Sequence, residues 1–234
     1  LETEEMTVDL ERVVREIHTL RHRLTSTVAD WAPWDETYAF VEHRDQGYRD
    51  RNLSEEGFQD LDLNFMLFFD NGNHLVYSQF YDLAGEAFTA PDTSVIFALR
   101  ALPELFRFAS TKERKSGLVV SGSAPVLVAA APITTSTFTG PIRGTLILGR
   151  ALDQAQVAKI GDQIRVKVDM VPYKMAQQDL FTVATTAPFV IEAAAHPVVT
   201  RIRDKHTLHG FTLLNDLGGK PAVVLTVTRE RKLF

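Results

Sequence analysis

The first 30 positions constrain the fold more than any other stretch of the chain, because they favour one long helix. From Glu2 to Asp30 there is no proline or glycine, and about 29 helical residues extend roughly 43 Å. A helix of that length needs support along its whole side. One seam of steps of three and four runs along it, as in a coiled coil: Met6, Leu10, Val13, Ile17, Leu20, Leu24, Thr27 and Trp31.

Two interpretations of this seam stay open. It is either the buried face of a core helix in a large domain or the contact of a signalling helix that forms a dimer. The second interpretation predicts a homodimer whose first helices lie parallel, and it assigns five side chains to the interface: Leu10, Val13, Ile17, Leu20 and Leu24.

Composition excludes several classes of protein. The net charge of −5 over 234 residues provides no basic surface for nucleic acid. The longest apolar run, Ala124–Ile133, is half the length of about 20 residues that a membrane helix needs. The absence of cysteine removes disulfides, thiol catalysis and cysteine zinc sites, and it suits an oxidising compartment. No signal peptide is visible, and a start at Leu1 leads us to expect a piece of a longer protein.

Beyond residue 60 the apolar period changes from that of helices to that of strands. Leu61–Asp70 and His74–Tyr81 form a predicted hairpin around the turn Asp70-Asn-Gly-Asn73. Thr93–Ser110 is a predicted helix that Pro103 kinks or restarts. Three further strands are predicted over 117–122, 124–133 and 142–150.

The second half contains one short helix and another set of strands. Asp153–Gly161 is a predicted helix, capped by Asp153 and closed by Gly161. The predicted strands are 164–171, 198–203, 207–215 and 222–229, while Lys174–His196 follows no clear pattern. The fold class is therefore α+β, in three parts: an N-terminal helix and Trp-Asp segment over 1–60, a PAS-like antiparallel sheet lobe over 61–150, and a smaller antiparallel β-rich lobe over 151–234.

The segment after the long helix carries a family resemblance. It reads Trp31-Ala-Pro-Trp-Asp-Glu-Thr-Tyr-Ala-Phe-Val41, followed by Tyr48-Arg-Asp-Arg-Asn-Leu53. Three later stretches agree in order: Asp70-Asn-Gly-Asn-His-Leu-Val-Tyr77, Leu146-Ile-Leu-Gly-Arg-Ala-Leu-Asp153 and Phe211-Thr-Leu-Leu-Asn-Asp-Leu-Gly-Gly-Lys-Pro221. Together they resemble the CHASE4 family of extracytoplasmic sensor domains.

The resemblance implies a domain looped out between two transmembrane helices, in the periplasmic part of an inner-membrane protein. It implies cytoplasmic outputs such as histidine kinases, diguanylate cyclases and cyclic-di-GMP phosphodiesterases. It implies no catalytic residue and no general ligand.

Motifs for chemistry are missing from the sequence. There is no Gly-x-Gly-x-x-Gly, no phosphate-binding Gly-Lys-Ser/Thr and no Gly-x-Ser-x-Gly. His18 and His22 have the spacing of metal ligands, but Arg21 and Arg23 beside them would repel a cation. We therefore predict no catalytic residue, no metal and no cofactor, and we do not expect this segment to be an enzyme.

The candidates for ligand contact are aromatic and charged residues near the long helix and the predicted sheet: Trp31, Trp34, Asp35, Tyr38, Tyr77, Tyr81, Asp82 and Arg143. Trp31, Trp34 and Tyr38 recur at helical steps, so either they pack the helix onto the sheet or the indoles line a pocket. The predicted function is an extracytoplasmic ligand-sensing domain of a transmembrane receptor with an unidentified small-molecule ligand. The alternative is a dimerisation or protein-interaction module that binds no small molecule.

Overall fold

The computed structural model describes residues 2–122, 124–179, 198–202 and 206–231. Its helices are α1 (Glu2–Trp31), α2 (Asp35–His43), α3 (Gln46–Asn52), α4 (Glu55–Asp60), α5 (Thr93–Arg100), α6 (Gln154–Ile164) and α7 (Tyr173–Asp179), with a 3-10 turn at Pro103–Phe106. Its strands are β1 (Phe65–Asp70), β2 (Leu75–Asp82), β3 (Ala87–Thr89), β4 (Lys115–Ser121), β5 (Ala124–Ile133), β6 (Gly144–Ala151), β7 (Lys167–Pro172), β8 (Val199–Ile202), β9 (Thr207–Asn215) and β10 (Pro221–Glu230).

The chain divides into two compact units, each built from separate stretches. Unit 1 comprises 1–19, 118–125 and 152–234, and unit 2 comprises 20–117 and 126–151. The predicted lobes were continuous in sequence, whereas the long helix α1 contributes residues to both units. The α+β class, the long first helix and the two antiparallel sheets are confirmed.

A six-stranded antiparallel sheet has the order β3-β2-β1-β6-β5-β4, and it belongs to unit 2 except for residues 118–125 of β4 and β5 and the turn between them. Every residue of β1 except the last is buried, and β6 is buried from Gly144 to Arg150. Side chains alternate between the faces of a strand, so burial at successive positions means that both faces are covered. Phe40 of α2 packs on Phe68 from one side, and Phe106 packs on Phe69 from the other.

Unit 1 contains a four-stranded antiparallel sheet in the order β7-β10-β9-β8. Its central strand β10 buries Val223, Leu225 and Val227 completely. The start of α1 lies close to β9, because a Cβ atom on Gly210 would meet Met6 and come within 2.9 Å of Leu10 Cδ1. Glycine at this position therefore lets the helix approach the sheet closely.

Several local predictions are confirmed. The turn at residues 70–73 joins β1 to β2, and Pro103 separates α5 from the 3-10 turn. Asp153 caps α6 by accepting a hydrogen bond from the Gln156 amide at 2.7 Å. The prediction for the other end of α6 was wrong, because the helix continues past Gly161 to Ile164, and its C-cap is Arg165, which adopts the left-handed conformation with φ 65°.

The short helices α3, α4 and α7 and the short strand β3 were not predicted. Helix α3 begins at Gln46, and the Asp45 carboxylate before it accepts a hydrogen bond from the Tyr48 amide. Strand β3 lies within the predicted loop 83–92 and pairs with β2. The unassigned stretch 174–196 contains the end of α7, and its residues from 180 onward lie outside the described part of the chain.

The predicted dimer seam on α1 is mostly buried in the single chain. Leu10, Val13, Ile17 and Leu24 are each no more than 6% exposed, and Leu20 is half-buried. This burial favours the core interpretation of the seam, and a dimer contact through these residues stays a prediction.

Candidate ligand-sensing site

The helical face predicted through Trp31, Trp34 and Tyr38 is interrupted in the structure. Helix α1 ends at Trp31, and α2 starts at Asp35 after Trp34, which is extended with φ −84° and ψ 137°. Pro33 explains the break, since a proline lacks the amide that would continue the helix. The two indoles nevertheless meet, stacked with 4.7 Å between ring centroids and 19° between planes.

Asp35 is held by the loop that joins β5 to β6. Its carboxylate accepts hydrogen bonds from the Ser136 amide at 2.9 Å and the Ser136 hydroxyl at 2.8 Å. The bond from the Ser136 amide, reinforced by the hydroxyl, holds the pKa of Asp35 below its usual range. Both carboxylate oxygens therefore have partners within unit 2.

Arg143 and Tyr38 form a second contact at the same junction. The guanidinium carbon of Arg143 lies 3.9 Å from the centroid of the Tyr38 ring, a cation–π distance. Arg143 Nη1 is 2.6 Å from Glu42 Oε2, and the Tyr38 hydroxyl donates to the Pro141 carbonyl at 3.3 Å. The arginine thus connects α2 to the residues just before β6.

We call these residues the junction cluster, and five of them were predicted as ligand candidates: Trp31, Trp34, Asp35, Tyr38 and Arg143. Trp34 is 38% exposed and the Arg143 side chain is 33% exposed, so part of each faces solvent. Glu42 and Ser136 complete the cluster and were not predicted. Their pairing with residues far away in sequence leaves no periodic signal.

Tyr77 belongs to an aromatic cluster on the sheet, separate from the junction. Its ring lies edge-on to Phe40 at 5.8 Å and tilted to Phe68 at 6.4 Å, with Arg49 over its face at 5.2 Å. Tyr48 stacks on Phe40 at 4.4 Å in the same cluster. These contacts leave Tyr77 half-buried at a packed aromatic layer between the sheet and α2–α3.

Tyr48 carries the buried polar group of that layer. Its hydroxyl is 2.9 Å from the hydroxyl of Thr37, which is itself fully buried. Burial raises the pKa of Tyr48 to about 12, although the hydrogen bond with Thr37 acts in the opposite direction. The phenol therefore stays protonated at any physiological pH.

The remaining candidates, Tyr81 and Asp82, lie at the end of β2. The Tyr81 ring is buried against Phe58 and Phe88, and its hydroxyl accepts a hydrogen bond from Gln59 at 2.6 Å. The Asp82 carboxylate accepts from the Ala84 amide at 3.0 Å, which is a turn contact. Both residues have structural partners, so the eight predicted candidates fall into three places.

An open groove lies in unit 1, lined by residues that the structure describes. Its volume is about 1380 Å³, larger than the roughly 300–1,000 Å³ of a typical small-molecule site. The groove is lined chiefly by α6, β7 and the ends of β9 and β10, with charged residues that include Asp162, Arg165, Lys167, Asp169 and Arg229. None of the predicted ligand candidates is among its lining residues.

No group of three or more metal-ligating side chains is found within residues 2–122, 124–179, 198–202 and 206–231. His18 and His22 are both exposed on α1. No helix in the part of the chain that the structure describes is long and apolar enough to cross a membrane.

Comparison with known proteins identifies the class. The model of the CHASE4 domain matches residues 17–171. The methanogenesis regulatory histidine kinase FilI of Methanothrix harundinacea is 26% identical over 211 residues, which cover 90% of this chain. The chain spans only 22% of the length of that relative.

Solved structures show the same fold at low sequence identity. A domain of a protein described as a sensory box/GGDEF family member from Vibrio parahaemolyticus has a TM-score of 0.69 at 11% identity, covering 98% of this chain and 96% of that one. The periplasmic domain of Vibrio cholerae LuxQ has a TM-score of 0.56 at 13% identity, covering 99% of both chains.

The fold is thus shared with the periplasmic domain of LuxQ and with the domain of the sensory box/GGDEF protein. The chain belongs to the CHASE4 family.

Proposed function

We propose that this domain is the periplasmic, ligand-sensing part of an inner-membrane receptor with a membrane helix on each side of it. The observation that carries the proposal lies in unit 1, where Glu2 at the start of α1 pairs with Arg231 after β10 at 3.1 Å. The first helix and the last strand therefore meet. Two membrane helices that continue from these two elements would therefore leave the domain next to each other.

The output of the whole receptor is a histidine kinase or an enzyme that makes or degrades cyclic-di-GMP. The relative in Methanothrix harundinacea is named a histidine kinase, which supports the first type. The sensory box/GGDEF protein shares only the fold. In either case a ligand changes the output only through its different affinities for two states of the domain.

The junction cluster is our proposed place of ligand contact. It gathers most of the predicted candidates, and Trp34 and Arg143 present an exposed indole and an exposed cation. An indole face and a guanidinium suit a ligand that combines a flat or cationic group with an anionic one. Tyr77 and Tyr81 would then support the sheet beneath without contacting the ligand.

A specific observation favours the alternative, a dimerisation module without a ligand. Every polar group of Asp35 and the charge of Arg143 already have partners within the chain. In addition, α1 exposes Val8 at 43%. A homodimer of parallel α1 helices would use this exposed side of the helix, and the buried seam would play no part in it.

Native mass spectrometry of the freshly purified chain tests the ligand. We expect a compound of small mass that is lost on denaturation, and its amount should fall in Trp34→Ala and in Arg143→Gln. Phe97→Ala is the matched control, since this side chain is 77% exposed and lies on α5, outside the cluster. A ligand present at 100 times its Kd would add about 2.7 kcal/mol to the free energy of unfolding.

A Val8→Cys variant tests the alternative in the membrane-anchored receptor. Rapid symmetric crosslinking at position 8, with no bound compound and an output insensitive to Trp34→Ala and Arg143→Gln, would favour the dimerisation module. Crosslinking at position 17 is expected to stay slow, because Ile17 is buried.

A further inference from the structure

Three carboxylates of α1 face two arginines at the end of the chain, all within unit 1. Arg229 Nη1 lies 2.9 Å from Glu5 Oε2 and 3.1 Å from Asp9 Oδ2. Arg231 Nη2 lies 3.1 Å from Glu2 Oε2. We call these five residues the ion-pair ladder. Asp9 is its most enclosed member, with a side chain only 8% exposed.

The spacing of the ladder follows from helix and strand geometry. Glu2, Glu5 and Asp9 are separated by three and four residues, so they share one face of α1. Arg229 and Arg231 are two residues apart and point to one side of their extended segment. Glu2 faces the later arginine and Asp9 the earlier one, so α1 runs antiparallel to β10 at this contact.

The ladder has three carboxylates facing two arginines of the last segment, and Arg12, which moves with α1, also pairs with Asp9 at 3.4 Å. If α1 moved by one turn, about 5 Å, toward its own N-terminus, Arg231 would meet Glu5 and Arg229 would keep Asp9. Only Glu2 would lose its partner. The two arginines would thus be paired in both positions of the helix.

The apolar side chains of α1 recur at the same three- and four-residue steps as its carboxylates. Met6 and Leu10 now lie at Gly210, and a one-turn movement would bring Leu10 and Val13 to that position. All three are apolar and buried at steps of four and three. The absence of a Cβ atom on Gly210 leaves the facing surface flat, so it does not select one side chain.

We propose that α1 adopts two registers along β10, one turn apart, and that the ligand-controlled movement of the domain is the exchange between them. The first register pairs Arg231 with Glu2 and the second pairs it with Glu5. One-turn movements of a helix past a packed neighbour are an established kind of two-state transition. The regulatory part of this inference rests on the proposed sensor function, whereas the two registers do not.

Arg229 also lines the groove of unit 1, so this arginine connects the groove to the exchange between the two registers. Its contacts with Glu5 and Asp9 both use Nη1. An anionic group in the groove would compete with these carboxylates for the guanidinium. Occupation of the groove would then shift the balance between the registers.

Distance measurement between two spin labels tests the registers on the isolated chain. The sequence has no cysteine, so labels can be placed at Val8 of α1 and at Lys220 just before β10, both exposed. The movement carries residue 8 away from residue 220. We expect Glu2→Lys, which places a cation against Arg231, to lengthen the label distance by about 5 Å.

Two controls make the result specific to the ladder. Glu2→Lys combined with Arg231→Glu restores the first pairing and should return the distance to that of the parent. Glu11→Lys makes the same charge change at an exposed position outside the ladder and should leave the distance unaltered. An unaltered distance in folded Glu2→Lys, or a broad distribution without a longer maximum, would overturn the proposal.

If Glu2→Lys does not fold, as judged by circular dichroism, Glu2→Gln replaces it. This variant removes the attraction without adding repulsion, so both distances should appear together. A single distance equal to that of the parent would again overturn the two registers. Since neither measurement requires a ligand or an output, failure here leaves the sensor function to its own test by mass spectrometry.

Discussion

The two units attach helices to sheets by different chemistry. In unit 2, α2 and α3 are held on β1 by rings, with Phe40, Tyr48 and Phe68 all buried and 4.4–6.1 Å apart. In unit 1, the start of α1 is held by the partly exposed ion pairs of Arg229 and Arg231 and by close approach to Gly210. The first contact is made by buried rings alone, whereas the second combines partly exposed ion pairs with the buried side chains of Met6 and Leu10.

The two kinds of contact differ in how many positions of the helix they permit. Interlocked rings fill one shape, and a shift of a helical turn would leave voids that the surrounding side chains cannot fill. Ion pairs that are partly open to solvent, as those of Arg231 with Glu2 and of Arg229 with Glu5 are, contribute less than buried packing, and one carboxylate can replace another. Unit 2 is therefore suited to hold a fixed site, and the α1 contact of unit 1 is suited to move.

The largest effect is expected from removing a ring of unit 2. Phe40 is 1% exposed and contacts Tyr48, Phe68 and Tyr77, so Phe40→Ala should lower the free energy of unfolding by about 3–5 kcal/mol. Urea denaturation followed by circular dichroism measures this loss. Phe97→Ala, at a 77% exposed position, should change the same quantity little. Equal losses in the two variants would contradict a rigid aromatic layer.

Gly210 of unit 1 is buried and should tolerate substitution poorly. A methyl group at position 210 would meet Met6 and Leu10, and such overpacking costs about 1–3 kcal/mol. Gly210→Ala should therefore lower the urea midpoint, while Gly218→Ala in the turn before β10 serves as the control. A midpoint equal to that of the parent would mean that α1 moves away from β9 at little cost, which would sharpen the contrast with unit 2.

Tyr48 tests the polar side of the aromatic layer. Tyr48→Phe leaves the buried Thr37 hydroxyl without its partner, which should cost about 1–2 kcal/mol near pH 7. Because burial raises the pKa of Tyr48 to about 12, above the value near 10 of an unfolded chain, its protonated form stabilises the fold below pH 10. That contribution disappears as the pH rises from 10 to about 12.

The measurement is the free energy of unfolding of the parent and of Tyr48→Phe across that pH range. The parent should lose stability more steeply, so the two curves should approach each other above pH 10. Thr37→Val removes the other hydroxyl of the same hydrogen-bonded pair and serves as an independent check. Curves that stay parallel up to pH 12 would show that the phenol titrates without cost to the fold.

Most of the fold could be predicted from the sequence because its elements have strong local signals. The turn at 70–73, the cap at Asp153 and the restart at Pro103 each follow from one or two residues with special backbone chemistry. Helix α3 and strand β3 were missed because they are short and their stability comes from neighbouring elements. The α1 seam was ambiguous, because heptad spacing fits a core helix and a dimer equally well.

The candidate site was less accessible to sequence reasoning. Trp34, Asp35 and Tyr38 were found because they are close together in sequence, and Arg143 was found at the start of a predicted strand. Glu42 and Ser136, which pair with Arg143 and Asp35, emerged only from the structure. The groove of unit 1 was also not predicted, since β10 lies far in sequence from α6 and β7, and each of these elements resembles an ordinary one.

The smallest effect on stability is expected at Asp35, which decides whether the junction cluster is architecture or a site. Hydrogen bonds from Ser136 lower the pKa of Asp35, so the carboxylate stabilises the fold above the usual carboxyl range and loses this effect as the pH falls through its lowered pKa. Asp35→Asn should therefore melt slightly below the parent at pH 7, and the difference should vanish in acid. Differential scanning fluorimetry from pH 7 to pH 3 measures this difference in melting temperature, with Asp82→Asn, at an exposed turn carboxylate, as the control.

If Asp35→Asn melts clearly lower while the membrane-anchored receptor keeps its stimulus response, Asp35 is a structural residue alone. If stability barely changes and the response is lost, the ligand binds at the exposed side of the junction cluster, and the rigid contacts of unit 2 hold that binding site in place.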